Sequence, residues 1–223
     1  MAQSYGVKRF VFASTCSNYG RSRDPSAYLT EESELRPVSL YAETKVTVEK
    51  TLLSVPFHSD DNVAVTVLRF ATIFGLSPRM RFDLTVNEFT MELMRKKSLQ
   101  VFGQQFWRPY LHVRDAARAI ASVLDAPVDR VRGRVFNVGD SNQNYQKGQL
   151  VDMICALIND KTLEIRYVHK DEDPRDYRVS FEKIRRELNY SITRTVDDGV
   201  REIIDAIRQG VITGFENPLY RME

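Results

Sequence analysis

Val7-Lys8-Arg9-Phe10-Val11-Phe12-Ala13 runs directly into Ser14-Thr15-Cys16-Ser17-Asn18-Tyr19-Gly20. The first seven residues are rich in β-branched and aromatic side chains and lie between Gly6 and a cluster of hydroxyls, a pattern that predicts a buried strand. Residues 20–37 are polar, contain Pro25 and Pro37, and read as a loop. From Val38 to Leu53 the sequence is helical in character and opens just after Pro37. Asn62 to Phe70 then reads as a second buried strand. Strand, helix, strand in this order is a βαβ unit and predicts an α/β fold with a parallel sheet.

Working outward, the texture changes after Gly75. A helix is expected from about Leu84 to Lys97 and a short strand at Leu99–Phe102. Ala116, Ile120, Val123 and Leu124 mark one face of another helix. Arg134–Val138 reads as a strand stopped by Gly139-Asp140-Ser141-Asn142. A helix over Gln149–Ile158 and a strand over Leu163–Val168 follow. The last helix carries Val196, Val200, Ile203, Ile204 and Ile207 at helical spacing, and the tail with Pro218 is expected to be loosely held. Residues 1–75 are assigned to a first part built on the parallel sheet. Residues 76–223 are assigned mainly to a smaller mixed α/β part, with some elements returning to the sheet.

Thirty-two basic against 30 acidic residues leave a formal charge of +2, so electrostatics make no case for nucleic acid or an anionic membrane. The short basic run Arg95-Lys96-Lys97 reads as a solvated helix end. No apolar run approaches the roughly 20 residues that span a bilayer, and no secretory signal is expected at the N-terminus. Two cysteines, Cys16 and Cys155, make neither a disulfide framework nor a metal-ligand pattern, which points to reduced thiols and a cytoplasmic protein. There is no internal repeat and no low-complexity tract.

The chemistry lies in Ser39-Leu40-Tyr41-Ala42-Glu43-Thr44-Lys45. Tyr41 and Lys45 are four apart and share a helix face. A phenol titrates near pH ~10 in water and is a poor acid–base group unaided, but a neighbouring ammonium favours the phenolate. The lysine can also donate to the ribose hydroxyls of a nucleotide. A strand-end hydroxyl such as Thr15 can hold a substrate oxygen beside the phenol, giving proton transfer at a carbon–oxygen bond while a nicotinamide exchanges hydride. Taken singly, each feature has a plainer reading. Tyr41/Lys45 can be a surface pair, and His112 in its apolar stretch a core histidine. Arg108 can stack on Trp107, and Arg175 can cap a loop through Asp173 or Asp176.

In their joint order these segments resemble the extended short-chain dehydrogenases/reductases, in particular the NAD-dependent nucleotide-sugar epimerases and dehydratases. The resemblance covers nearly all of the chain and implies that residues 1–75 are a partial Rossmann-like catalytic part and residues 76–223 mainly a sugar-nucleotide substrate-binding part. Ser14 to Gly20 is similar to the family's Ser/Thr-x-x-x-Tyr-Gly strand end and implies that Thr15 is the catalytic hydroxyl, with Ser14 beside the cofactor. Tyr41 and Lys45 match the catalytic tyrosine and lysine, which also touch the cofactor. Leu68-Arg69-Phe70 through Gly75 resembles the strand end lining the nicotinamide, which implicates Phe70. Phe106-Trp107-Arg108-Pro109-Tyr110-Leu111-His112-Val113-Arg114-Asp115 is similar to a segment whose arginine binds the nucleotide diphosphate, although Pro109 replaces the usual acidic residue. Arg108 takes that role here. Asp173-Pro174-Arg175-Asp176-Tyr177 resembles a late motif supplying a second phosphate-binding arginine, so Arg175 and Tyr177 join the substrate list, and Asn87 sits where substrate-binding asparagines occur. The implied partners are NAD, with NADP left open, and a nucleoside diphosphate sugar. A homodimer through the helix bearing Tyr41 is also implied.

The resemblance separates the reactions as well. Dehydratases of the group place an acid two positions after the catalytic hydroxyl. This chain has Ser17 there, and Cys16 is one residue out of place, on the opposite face of an extended strand. A 4-epimerase or keto-sugar reductase needs only Thr15, Tyr41, Lys45 and the cofactor, and the epimerase is preferred. The family holds the NAD pyrophosphate on a Gly-x-x-Gly-x-x-Gly turn at a helix N-terminus. None of the ten glycines forms that spacing. Four strands with their helices, about 100 residues at roughly 30 per βαβ unit, are expected to be missing upstream. Val7–Ala13 would then present an open apolar edge. Three readings follow: a piece of a full epimerase or reductase, a non-catalytic sugar-nucleotide-binding protein, or an enzyme completed by a separate N-terminal chain.

Overall fold

The structure is a computed structural model that describes residues 5–24, 26–54, 63–173, 175–215 and 220. Asn62, Pro25, Pro174, Pro218 and the first four residues of the sequence lie outside them.

Strand β1 (Arg9–Thr15) opens the fold and is followed by a single 3-10 turn (Cys16–Tyr19). Next come a two-residue strand β2 (Tyr28–Leu29) and helix α1 (Leu40–Leu53). The expected loop at 20–37 is thus interrupted, because β2 pairs with residues 178–179 far along the chain. Helix α1 begins where the side chain of Ser39 accepts the amide of Ala42 at 3.3 Å, an N-cap that satisfies an otherwise orphaned donor. Strand β3 (Ala64–Phe70) and the short β4 (Thr72–Phe74) lead into helix α2 (Thr85–Lys96). Then follow β5 (Ser98–Phe102), β6 (Trp107–His112), α3 (Val113–Asp125), the one-turn α4 (Val128–Val131) and β7 (Arg134–Val138). The chain continues through β8 (Asn144–Gln146), α5 (Lys147–Ile158), β9 (Glu164–Val168), β10 (Arg178–Val179), α6 (Glu182–Leu188) and α7 (Val196–Arg208).

The βαβ unit expected from the sequence is present: β1 and β3 are parallel and in register from Arg9↔Ala64 to Thr15↔Phe70. β3 pairs in parallel with β7 on its other side, giving the order β1-β3-β7. This position explains the burial of each strand. All seven residues of the central β3 are buried, whereas in β1 only Ser14 and Thr15 are, and Phe10 is exposed. The expectation of a buried first strand is corrected accordingly: among the described residues β1 has a sheet neighbour on one side only. A second sheet, β4-β6-β8, mixes a parallel and an antiparallel pair, and β5 pairs in parallel with β9.

Leu68, Phe136, Ala119 and Ile184 bring β3, β7, α3 and α6 into one core. Leu93, Leu150, Ile154 and Val200 close a second core between α2, α5 and α7. Each of these fully buried side chains other than Ala119 is worth roughly 1.5–3 kcal/mol relative to exposure. In α3 the buried face is Ala116, Ala119 and Val123 with Ile120 packed beside it. Leu124, assigned to that face from the sequence, is exposed. Near the C-terminus Phe215 and Tyr220 pack on the buried ring of Phe82, and Phe82 donates its amide to the Tyr220 carbonyl at 2.8 Å, so this part of the tail is held.

Candidate active site

The C-terminal ends of β1 and β3 lie side by side, which places Thr15 beside Phe70. Helix α1 packs across them. Its buried positions Ala42, Val46 and Glu49 face the sheet, and Tyr41 and Lys45 stand on the adjoining flank. One buried ion pair fixes this arrangement. The Arg69 guanidinium grips the Glu49 carboxylate, with Nη2–Oε2 at 2.7 Å and Nε 3.1 Å from both oxygens. Ser14 donates its hydroxyl to Glu49 at 2.5 Å, and the Asn18 amide donates to both Glu49 (2.9 Å) and Ser14 (3.1 Å). Each member neighbours a candidate: Ser14 precedes Thr15, Arg69 precedes Phe70, and Glu49 is one turn beyond Lys45.

A cavity of about 680 Å³ opens above these strand ends. Thr15, Tyr41, Lys45, Ser14 and Phe70 line one part of it, and Arg108, Arg175 and Tyr177 another. Eight of the nine residues singled out from the sequence as catalytic, cofactor-binding or substrate-binding therefore share one cavity, and Asn87 is the exception. The Asn87 amide accepts from the Gly75 backbone at 3.0 Å and donates to the Arg81 carbonyl at 3.3 Å, so it pins the 75–81 loop instead of facing the opening. Lys45 Nζ donates to the Ala13 carbonyl at 2.7 Å and lies 4.9 Å from the Phe12 ring and 5.7 Å from the Tyr41 ring centroid. The Thr15 hydroxyl accepts the Ser17 amide at 3.1 Å, which fixes its orientation, and it remains on the cavity wall. Tyr41 is about half exposed at 52% and is thus free to meet a ligand.

Of the plainer alternatives, three are settled by contacts. Arg178, not Arg108, lies over Trp107, at 4.8 Å, while Arg108 lies over Tyr177 at 5.6 Å. His112 is a core residue. It caps α3 by accepting the Arg114 amide, packs edge-on against Phe74 and meets Glu202 at 2.9 Å. Arg175 does take part in a loop cap, through its backbone amide on Asp173 at 2.9 Å, yet its side chain reaches the cavity. Cys16 is fully buried and donates its thiol to the Arg69 carbonyl. Burial pushes that thiol far up, so it supplies no thiolate. Burial also pushes the Tyr177 phenol up, to about 12, and keeps it neutral.

The cavity also has residues that the sequence reading missed. Lys147, at the first position of α5, stands with Arg108 and Arg175. Arg81, Asp83 and Glu88 come from the β4–α2 loop and the first turn of α2. The forked contact of Arg81 with Asp83, at 2.7 and 2.6 Å, raises the arginine's pKa and neutralises the carboxylate. Only a local Arg-x-Asp spacing marks that pair in the sequence, and nothing marks Lys147.

The profile of the NAD dependent epimerase/dehydratase family matches residues 1–139, which include both candidate segments. The chain belongs to this family. An uncharacterized UDP-glucose epimerase of Bacillus subtilis strain 168 is 27% identical over 203 residues, covering 89% of this chain and 60% of its own length. A UDP-glucose 4-epimerase of the same strain is 26% identical over 216 residues, covering 88% and 61%. Among solved structures, the dTDP-glucose 4,6-dehydratase of Bacillus anthracis in complex with NAD superposes with a TM-score of 0.78 at 25% identity, over 93% of this chain and 64% of that one. The UDP-glucuronic acid 4-epimerase of Bacillus cereus, bound to UDP-glucuronic acid and NAD, gives 0.78 at 23% identity over 93% and 64%, a likeness of fold. This member of the epimerase/dehydratase family therefore spans about three fifths of the length of the curated relatives it matches.

Proposed function

We propose that the chain carries the proton-transfer groups and the sugar-nucleotide-binding face of an NAD-dependent nucleotide-sugar epimerase. The observation that carries this reading is the single cavity joining Thr15, Tyr41 and Lys45 to the cationic cluster of Arg108, Lys147 and Arg175. Three cations at one end suit a diphosphate, with Arg108 and Arg175 offering forked donors. At the other end Tyr41 exchanges a proton with a sugar hydroxyl, Thr15 hydrogen-bonds the same oxygen, and Lys45 holds the phenol in a cationic field. Family membership and the NAD complexes of the relatives support NAD as the cofactor.

The residues present fit the nicotinamide-ribose end of that cofactor. Lys45 keeps two N–H donors beyond its bond to Ala13, and Phe70 and Ser14 border the same space. The Ser14 hydroxyl already donates to Glu49, so what it can offer a cofactor is an acceptor oxygen. The pyrophosphate end does not fit, because no Gly-x-x-Gly-x-x-Gly turn occurs in the 223 residues. When bound, NAD would accept and return the hydride at the sugar carbon.

Ser17 in place of an acid and the inert Cys16 support epimerisation over dehydration. Glu88 in the cavity wall favours a second reading, a dehydratase whose carboxylate comes from α2. The test is NMR analysis of UDP-glucose incubated with the protein and NAD. UDP-galactose supports the epimerase, and a 4-keto-6-deoxy sugar supports the dehydratase. Binding without turnover supports a non-catalytic sugar-nucleotide-binding protein, and absence of binding overturns the proposal. The exposed Leu40 and Val48 of α1 are the surface through which a second copy would associate; a sedimentation experiment showing only monomer would remove that part.

A further inference from the structure

The cationic end of the cavity contains a carboxylate of its own. Asp173 is buried, at 8% exposure, and three groups converge on it. Arg108 Nη2 donates to Oδ1 at 2.8 Å, the Arg175 amide donates to the same oxygen at 2.9 Å, and Lys147 Nζ lies 3.5 Å from Oδ2. Arg108 and Lys147 are held in addition by the carbonyls of Trp107 (2.8 Å) and Phe102 (3.0 Å). Arg108 has five N–H donors and Lys147 three, so both keep donors for a ligand. Arg108, Lys147 and Arg175 line the cavity, whereas Asp173 sits behind them. Three cations less one buried carboxylate leave this end with a net charge near +2.

A diphosphate esterified on both sides, as in a nucleoside diphosphate sugar, carries one negative charge per phosphate. A free nucleoside diphosphate has a terminal phosphate whose second pKa is near ~6, so at pH above 7 it approaches one further charge. We propose that Asp173 is a specificity-determining counterion: it trims the subsite to the charge of a sugar-capped diphosphate and, together with Lys147, sets the preference for the sugar nucleotide over the free nucleoside diphosphate. This rests on the reading of the cavity as a sugar-nucleotide site.

The test compares UDP-glucose with UDP by isothermal titration calorimetry at pH 8 and low salt, on the wild type, Asp173→Asn and Lys147→Met. Asparagine keeps an acceptor for Arg108 and the Arg175 amide and removes the charge. Asp173→Asn is expected to tighten UDP relative to UDP-glucose by roughly three- to tenfold, and Lys147→Met to shift the same ratio by a similar factor in the opposite direction. Opposite shifts are the signature, since a merely disturbed site weakens both ligands together. Thermal melts of each variant verify that it is folded. A wild type that binds both ligands, with variants that leave the ratio unchanged or move it in the same direction, overturns this inference alone. A wild type that binds neither ligand overturns the underlying reading and this inference with it.

Discussion

Replacing Glu49 by alanine tests whether one buried ion pair holds the three segments of the site together. The side chains of Arg69 and Glu49 are 5% and 2% exposed, so neither is solvated by water in the folded protein. Glu49→Ala removes the carboxylate that Arg69 grips and leaves it, among the described residues, hydrogen bonds to the Tyr19 hydroxyl at 3.1 Å and the Glu31 carbonyl at 3.3 Å. The same change removes the acceptor used by Ser14 and Asn18. Removing one partner of a buried pair costs about 3–5 kcal/mol, because the remaining charge stays buried and uncompensated. At 2–4 °C per kcal/mol for a chain of this size, the melting temperature should fall by roughly 6–20 °C. Replacing both partners by apolar residues (Glu49→Leu with Arg69→Met) should cost less than Glu49→Ala alone, since no orphaned charge remains. Urea unfolding monitored by circular dichroism measures both variants. A loss below about 1 kcal/mol for Glu49→Ala, or a double variant worse than the single, would refute the reasoning.

Tyr41→Phe should lower turnover by about 10²–10⁴-fold, the usual worth of a positioned acid–base group. It should leave UDP-glucose affinity nearly intact, which separate kinetic and calorimetric measurements can check. Gly199→Ala, in the first turn of α7, puts a methyl 2.4 Å from a carbon of the buried Phe74 ring and 3.1 Å from His112. Overpacking of about 1–3 kcal/mol should outweigh the gain in helix propensity of about 1 kcal/mol, so the variant should melt lower, and a stabilised variant would contradict this packing. For Asp173, burial opposes ionisation, but Arg108, the Arg175 amide and Lys147 more than offset it and hold the carboxyl below its ordinary 3.8. Because the folded-state value is depressed, the contribution is fully present above pH 3.8 and is lost as pH falls through the lowered value. Asp173→Asn should therefore flatten the acid limb of stability against pH, and an unchanged limb in urea titrations would count against it.

The parts of the fold legible in the sequence were those set by periodicity and chain order. β3 and α7 are long and strongly patterned, and their predicted and observed spans agree within a few residues. Tyr41 and Lys45 could be placed because four residues on a helix mean one face, and Thr15 because it ends a strand. What stayed hidden depends on contacts far apart in sequence. β1 has the composition of a central strand; its open edge followed only from the family resemblance, not from its own residues, and its pairing agrees, with a sheet neighbour on one side only among the described residues. β2 and β10, two residues each, are too short to show a period and exist through one another. Lys147 looks like any helix-start lysine until β6 and the 173–177 segment bring Arg108 and Asp173 to it. The Asn87 amide is taken up by the backbone of its neighbouring loop, which spacing alone does not foretell.

A crystal structure of the protein with UDP-glucose tests the central claim most directly, because it needs neither turnover nor a complete cofactor site. The diphosphate should rest on Arg108, Lys147 and Arg175. A sugar hydroxyl should lie within hydrogen-bond reach of the Tyr41 phenol, roughly 2.6–3.2 Å, with Thr15 on the same oxygen. A sugar ring pointing away from Tyr41, or a diphosphate bound outside the cavity, would contradict the account.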